Sequence, residues 1–330
     1  MVMAAGLGTR LRPLTYEIPK PLVPVANRPV VEHLLRLLGA QGFREIIANL
    51  HWFGDAIVEA IGDGSAHGLE VTYRHEEELL GTAGGVRNVA DFLSPNGESF
   101  VVLAGDALTD IDLADLVAAH ERNGGIATLA VKRASDVSEL GVIVTDSEGR
   151  VQGFQEKPAP GEELSDLVNC MMYVFEPEVL DYFPERPVLD WARDIFPILL
   201  EHDVPFHVHP IDAYWNDVGS IPEYLRGNLD AVLGAVRVDP SGELLVGSDD
   251  EEAPASMPGE WTLSGTALVG KGAIIEPDAR IDGPAVIGAG ARVGAGSMVK
   301  ESVLLRGGEL PAEALLAGAI AGRRGTLASA

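Results

Sequence analysis

Two glycines, an arginine and a lysine within the first twenty residues carry the chemistry of this chain. The segment Met3-Ala4-Ala5-Gly6-Leu7-Gly8-Thr9-Arg10-Leu11-Arg12-Pro13 runs from a short apolar strand into a glycine-rich loop, and Pro19-Lys20-Pro21 follows. Backbone amides freed by Gly6 and Gly8 can approach a polyphosphate closely, because no side chain stands in the way. Arg10 and Lys20 add fixed positive charge. The segment therefore reads as a cradle for a nucleoside triphosphate. A dinucleotide fingerprint would need a third glycine where Leu11 stands and an opening helix where Pro13 follows. An ATPase loop would need Gly-Lys-Ser or Gly-Lys-Thr, which is absent.

Two carboxylates recur beside glycines. Leu103-Ala104-Gly105-Asp106 ends an apolar strand, and Trp215-Asn216-Asp217-Val218-Gly219 repeats the arrangement. Two such Asp residues suit one Mg²⁺ that bridges phosphate oxygens and keeps some of its waters. The plain alternative is a cap or turn role. For Asp106 that role is taken by Asp112, the better cap of the following helix; for Asp217 it stays open. Glu156-Lys157-Pro158 offers an acceptor for sugar hydroxyls beside a cation for a monophosphate, or else an exposed pair. Asn169 heads an apolar strand and either bonds a sugar or finishes the strand. Gly81-Thr82-Ala83-Gly84-Gly85 opens a helix with small residues, so that a flat base or ribose can lie on the backbone.

Elements must exist to position these groups. Residues 1 to about 230 alternate short apolar runs, such as 45–50, 100–104 and 126–131, with helical patterns at 30–38, 55–61, 82–92 and 113–123. This alternation predicts an α/β fold: a Rossmann-like, mainly parallel mixed sheet sandwiched by helices. Ligands of such sheets sit at the carboxyl ends of strands, and the loops at 6–8 and 105–106 both fall there. The strand before Gly6 has only about five residues, near the usual minimum, which leaves room for a start upstream of Met1.

Residues 241–262 read as an acidic linker around Ser248-Asp249-Asp250-Glu251-Glu252-Ala253-Pro254. A hexapeptide period follows. The first position reads Leu263, Val269, Ile275, Ile281, Ile287, Val293, Val299 and Leu305. The fifth reads Ala267, Ala273, Ala279, Ala285, Ala291, Ser297 and Val303. Glycines cluster at the second and fourth positions. An aliphatic residue every six predicts a short left-handed parallel β-helix of a little over two turns, packed on the first domain or on another subunit. The expected domains are thus 1–240, 241–262 and 263–330.

The 330 residues are 46% hydrophobic, with a formal charge of −26. That is enough for two domains with real cores. The acidity repels nucleic-acid backbones and anionic membranes, so cations must be concentrated at 10, 12, 20, 28 and 157 if phosphates bind. Cys170 is the one cysteine, so no intrachain disulfide forms, which fits a reducing cytoplasm.

Taken together, the motifs resemble the sugar-1-phosphate nucleotidyltransferases, over nearly the whole chain and in the family's order. The pattern is nearest to mannose-1-phosphate guanylyltransferase-like members with a β-helix tail. The resemblance implies attack of a sugar 1-phosphate on the α-phosphorus of a nucleoside triphosphate, with pyrophosphate leaving. It implies that Arg10 holds the pyrophosphate and Lys20 the phosphates at the reacting centre. Asp106 and Asp217 would hold Mg²⁺, Lys157 the sugar phosphate, and Glu156 and Asn169 the sugar hydroxyls. Ala4, Ala5, Gly6, Gly8, Thr9, Gly81, Thr82, Gly84 and Gly85 would line the nucleotide. GTP with mannose 1-phosphate is the leading pair, and a uridylyltransferase is the alternative. A homo-oligomer assembled through the tail is expected. Two further readings are weighed: acyl transfer by the tail, and a catalytically silent regulatory subunit. The tail holds none of the eight histidines, which opposes acyl transfer; the phosphate cations and both Asp residues are present, which opposes silence.

Overall fold

The computed structural model describes residues 1–138, 140–247 and 260–329. The acidic stretch at 248–254, the heart of the expected linker, lies outside the described residues. The chain forms two compact units that do not follow sequence order. Unit 1 comprises Met1–Leu7, Leu34–Ala107 and Ile111–Trp215; unit 2 comprises Gly8–His33, Leu108–Asp110 and Asn216–Ala330.

The first part of the chain forms β1 (Val2–Met3), α1 (Val30–Ala40), β2 (Glu45–Leu50), α2 (Gly54–Ile61), β3 (Glu70–His75), α3 (Gly81–Arg87) and β4 (Phe100–Ala104). Then come α4 (Leu113–Asn123), β5 (Ala127–Arg133), β6 (Gly141–Thr145), β7 (Val151–Glu156), β8 (Leu167–Phe175), α5 (Phe196–Glu201) and β9 (His207–Pro210). The sheet of unit 1 runs β7-β6-β8-β4-β1-β2-β3, with β5 joining β8 to β9. It is mixed. β1 is parallel to both β2 and β4, and β2 is parallel to β3. β8 runs antiparallel to β4, β5 and β6. Strand β2 shows why these runs become central strands: five of its six residues are buried, as expected of a strand covered on both faces. Asp112 caps α4 as expected, accepting from the Ala114 and Asp115 amides.

The chain leaves β1 for β2 and β3 on one side, then returns to β4 on the other. The carboxyl end of β1 is therefore a topological switch point, where open α/β sheets bind ligands. An aromatic core holds the antiparallel half in place. The Trp191 ring stacks on Phe175 at 4.3 Å between centroids, and Phe196 stacks on Phe154 and Phe206.

Unit 2 carries α6 (Ile221–Leu233), β10 (Glu243–Gly247) and the tail. The tail strands are β11 (Thr262–Val269), β12 (Ile274–Ile275), β13 (Arg280–Asp282), β14 (Ala285–Ile287), β15 (Arg292–Val293) and β16 (Met298–Lys300). They continue as β17 (Val303–Leu304), β18 (Glu309–Leu310), β19 (Leu315–Ala317), β20 (Ala319–Gly322) and β21 (Gly325–Ser329). They stack as three parallel ladders: β11-β13-β16-β19, β11-β14-β17-β20 and β12-β15-β18. This is a parallel β-helix. It is longer than the hexapeptide count, because Leu310 and Leu316 extend the buried column past the last counted repeat. The tail packs on α6 through β11 and β14, and the Asn27 amide donates to the Ile287 carbonyl at 3.1 Å.

The period also slips. Ile281 pairs with Val299, eighteen residues on, but Val299 pairs with Leu316, seventeen on. One residue is lost near Glu301, which adopts φ 45°. The interior position is therefore Leu304 rather than Leu305, and the small corner residue is Ser302 rather than Val303.

The two glycine columns have different causes. At the fourth position Gly272, Gly290 and Gly296 adopt φ of 73°, 64° and 65°, which L side chains rarely do. At the second position a Cβ on Gly270, Gly288 or Gly294 would lie 2.3–2.5 Å from the backbone nitrogen of the next coil. We expect Gly288→Ala to destabilise the tail by about 1–3 kcal/mol, the range for overpacking, read as a lower unfolding midpoint in urea.

Candidate active site

Three parallel strand ends meet in unit 1. Met3 pairs with both Asn49 and Ala104, so the segment after β1 lies between the ends of β2 and β4. Gly105 donates its N–H to the Met3 carbonyl at 2.9 Å, and a Cβ there would stand 2.7 Å from that oxygen. The fold itself therefore requires Gly105, and the requirement sets Asp106 against a cleft. That cleft, ≈ 240 Å³, is lined by Met3, Ala5, Gly6, Asn49, Glu76, Leu79, Gly81, Thr82, Ala104, Asp106 and Met171.

The glycines singled out in the sequence separate by cause. Gly6 is exposed at the cleft, and a Cβ on it would meet nothing within 4 Å. Nothing in the fold asks for glycine there. Gly8, in unit 2, has φ 62°, and its Cβ would crowd Thr15 at 2.9 Å and Lys20 at 3.0 Å. Gly81 has φ 77°, and Cβ atoms on Gly81 and Gly84 would stand 2.4 Å and 2.7 Å from the carbonyls of Leu189 and Pro187. The Ala83 and Gly84 amides donate to Leu189 O at 3.0 and 3.1 Å. These two glycines let α3 pack against residues 187–189, which is the structural alternative to a base platform. Thr82 serves the same junction: its hydroxyl donates to Asp190 at 2.8 Å and accepts from the Trp191 amide.

Glu76 was missed by sequence reasoning, because Glu76-Glu77-Glu78 looks like a solvated charge run. Glu77 and Glu78 are exposed, but Glu76 is 6% exposed and lines the cleft. Its carboxylate accepts from Asn49 Nδ2 at 2.7 Å and from the Leu80 amide at 3.1 Å.

In unit 2, Arg10, Lys20 and Asp217 form one cluster. Arg10 pairs with Asp217 Oδ2 at 3.3 Å, and Lys20 Nζ donates to the Asp217 carbonyl at 2.8 Å. Asp217 Oδ1 accepts from the Gly219 amide at 2.9 Å. Asp217 is thus both a turn residue and the partner of a phosphate-type cation. Thr9 and Arg10 are exposed on the short helical turn Thr9–Leu11, which Gly8 starts. Among the described residues no three His, Cys, Asp or Glu side chains cluster as a metal cage. A Mg²⁺ ion held by one or two carboxylates and by substrate phosphates needs no such cage, so Asp106, a residue of the cleft lining, fits that role.

Glu156 and Lys157 are exposed at the end of β7, and Lys157 has φ 47°. Asn169 lies at a bulge in β8, where its Oδ1 accepts from the Met171 amide and its Nδ2 donates to the Tyr173 hydroxyl. None of these three lines the cleft. Lys157, Met171 (φ 54°) and Val218 (φ 45°) are non-glycine residues in the left-handed region. Each sits in or next to a motif singled out above, and such strain concentrates at functional sites. Cys170 is buried, and burial pushes its thiol pKa well up, as for an inert packing residue.

An α/β sheet with a glycine-rich loop, a cleft and a carboxylate at its switch point defines a nucleotide-phosphate enzyme. The chain belongs to the nucleotidyl transferase family, whose profile matches residues 1–232. It is a sugar-1-phosphate nucleotidyltransferase by kind. It is 36% identical to a UTP–glucose-1-phosphate uridylyltransferase of Synechocystis sp., over 92% of this chain and 82% of that one. It is 38% identical to a mannose-1-phosphate guanylyltransferase of Mycobacterium tuberculosis, over 86% and 78%. In fold it is similar to HddC from Yersinia pseudotuberculosis, with a TM-score of 0.60 and 24% identity over 69% of this chain and 96% of that one. No described helix is long and apolar enough to cross a membrane.

Proposed function

We propose that the protein makes a nucleoside diphosphate sugar from GTP and mannose 1-phosphate, releasing pyrophosphate. The observation that carries the choice of base is the buried Glu76 carboxylate in the cleft. Each of its oxygens has one donor already and keeps a second lone pair. Guanine presents two adjacent donors, N1–H and the 2-amino group, which one carboxylate can accept together. Uracil presents N3–H between two carbonyls, which a carboxylate repels. The Mycobacterium tuberculosis relative supports this reading. The Synechocystis relative favours the second reading, UTP with glucose 1-phosphate.

In this proposal Gly6 leaves the backbone open to the triphosphate, with Ala4 and Ala5 beside it. Arg10 neutralises the leaving pyrophosphate, and Lys20 neutralises the phosphates nearer the reacting centre. Lys157 takes the sugar phosphate, and Glu156 and Asn169 take the sugar hydroxyls. Mg²⁺, when bound at Asp106, would draw charge from the phosphates, while Asp217 holds Arg10 and Lys20 within unit 2. No protein nucleophile is needed, so positioning and charge neutralisation carry the reaction. The tail serves assembly or regulation.

Pyrophosphate release across a grid of nucleoside triphosphates and sugar 1-phosphates tests the substrate pair. The highest kcat/KM is expected with GTP and mannose 1-phosphate; a maximum with UTP and glucose 1-phosphate would replace it. Glu76→Gln is expected to lower the GTP-over-UTP preference by about ten-fold, the scale of a hydrogen bond to a charged group. The two loop glycines should also part company. Gly6→Ala is expected to fold normally while raising KM for the nucleotide, whereas Gly8→Ala should cost about 1 kcal/mol of stability through its left-handed backbone.

A further inference from the structure

One buried amide ties the phosphate loop to the wall that carries Glu76. Asn49 is the only polar residue among the five buried positions of β2, and it is 4% exposed. A buried amide is costly unless its hydrogen bonds are made, and an aliphatic residue would pack there without that demand. Its register explains what it does. Asn49 pairs with Met3 of β1 on one side and with Arg74 of β3 on the other. The residue after Met3 is Ala4, and the second after Arg74 is Glu76. The Asn49 side chain reaches both: Oδ1 accepts from the Ala4 amide at 2.9 Å, and Nδ2 donates to Glu76 Oε1 at 2.7 Å. Helix α3 closes over the pair at Gly85. A Cβ on Gly85 would stand 2.7 Å from Asn49 Nδ2 and 2.9 Å from Glu76 Oε1.

We propose that Asn49 is a positioning residue that sets the glycine-rich loop and the base-reading carboxylate at a fixed separation, with Gly85 providing the room for their bond. The proposal rests on the reading of the cleft as the nucleotide site. Neither an aspartate nor a leucine can replace the amide. Aspartate keeps an acceptor for Ala4 but loses the donor and sets two carboxylates against each other. Leucine loses both bonds.

The test compares Asn49→Asp, Asn49→Leu and Glu76→Gln in the full chain, with steady-state kinetics for each substrate and thermal melting as a check of folding. Asn49→Asp is expected to raise KM for GTP about ten-fold and to lower the GTP-over-UTP preference by a similar factor. KM for the sugar 1-phosphate should not change. Asn49→Leu should raise KM for GTP at least as far. A purely structural residue would lower the melting temperature and leave the preference untouched. Folded Asn49 variants with wild-type KM and preference overturn the proposal, even where Glu76→Gln has its effect. If Glu76→Gln is inert and Asn49→Leu still raises KM for GTP, the base reading falls and the positioning of the loop stands. Where Asn49→Asp fails to fold, Asn49→Ser carries the same readout, because its short hydroxyl cannot bridge Ala4 and Glu76 at once and leaves room for a water in place of the amide.

Discussion

Arg10→Ala is expected to lower kcat by about 10²-fold or more, the scale of losing a charge stabiliser in the transition state, while the protein stays folded. The Arg10 side chain is 49% exposed, and its charged partner is Asp217. An exposed ion pair of this kind contributes about 0–1 kcal/mol to stability. A large loss of turnover therefore has to come from the reaction. Negative charge builds on the bridging oxygen as pyrophosphate leaves, and a fixed guanidinium is worth most there. Arg10→Lys should recover only part of the rate, because an ammonium ion lacks the planar fork that meets two phosphate oxygens at once. Single-turnover measurement of pyrophosphate release checks both variants. Near-normal turnover in Arg10→Ala would remove Arg10 from the mechanism.

Asp106→Ala should cost a similar factor, about 10² or more in kcat, and excess Mg²⁺ should not restore it. Asp106 follows Gly105 at the end of β4, and Asp112 rather than Asp106 caps the next helix. Asp106 lines the cleft. Removing a cap would lower the unfolding midpoint and spare the rate; removing a metal carboxylate does the reverse. Turnover measured against Mg²⁺ concentration, alongside thermal melting, separates the two. A destabilised variant with wild-type turnover would return Asp106 to a structural role.

The candidate site was legible where residue type alone limits the chemistry. Gly6, Arg10, Lys20, Asp106 and Asp217 stood out because cations are scarce in an acidic chain and the Asp residues follow apolar runs. Glu76 and Asn49 were not legible. A run of three Glu residues looks the same whether or not one turns inward, and a single amide in an apolar strand looks like a boundary. The glycines illustrate the same limit from the other side. The pattern of Gly81, Gly84 and Gly85 offers a surface for a base but does not show the neighbours brought from elsewhere that also crowd them: the carbonyls of 187–189 for the first two, and the Asn49–Glu76 pair for the third. In the tail, the six-residue period was visible because every coil repeats the same packing. The slip after Val299 was not, because Leu304 and Leu305 are the same residue type and only stacking shows which one faces inward.

By itself, the sequence determined the class of fold, the β-helix tail and the phosphate chemistry. These follow from local rules: alternation of apolar runs, a fixed period, and residue types that few other tasks require. The tertiary structure alone decided three things. It assigned the segment 8–33 and the tail to the same compact unit, although about 230 residues separate them in the chain. It placed a buried carboxylate in the cleft. It also joined that carboxylate to the glycine-rich loop through Asn49. All three depend on pairings between residues far apart in sequence. Such pairings are selected by strand register and packing, which no local pattern encodes.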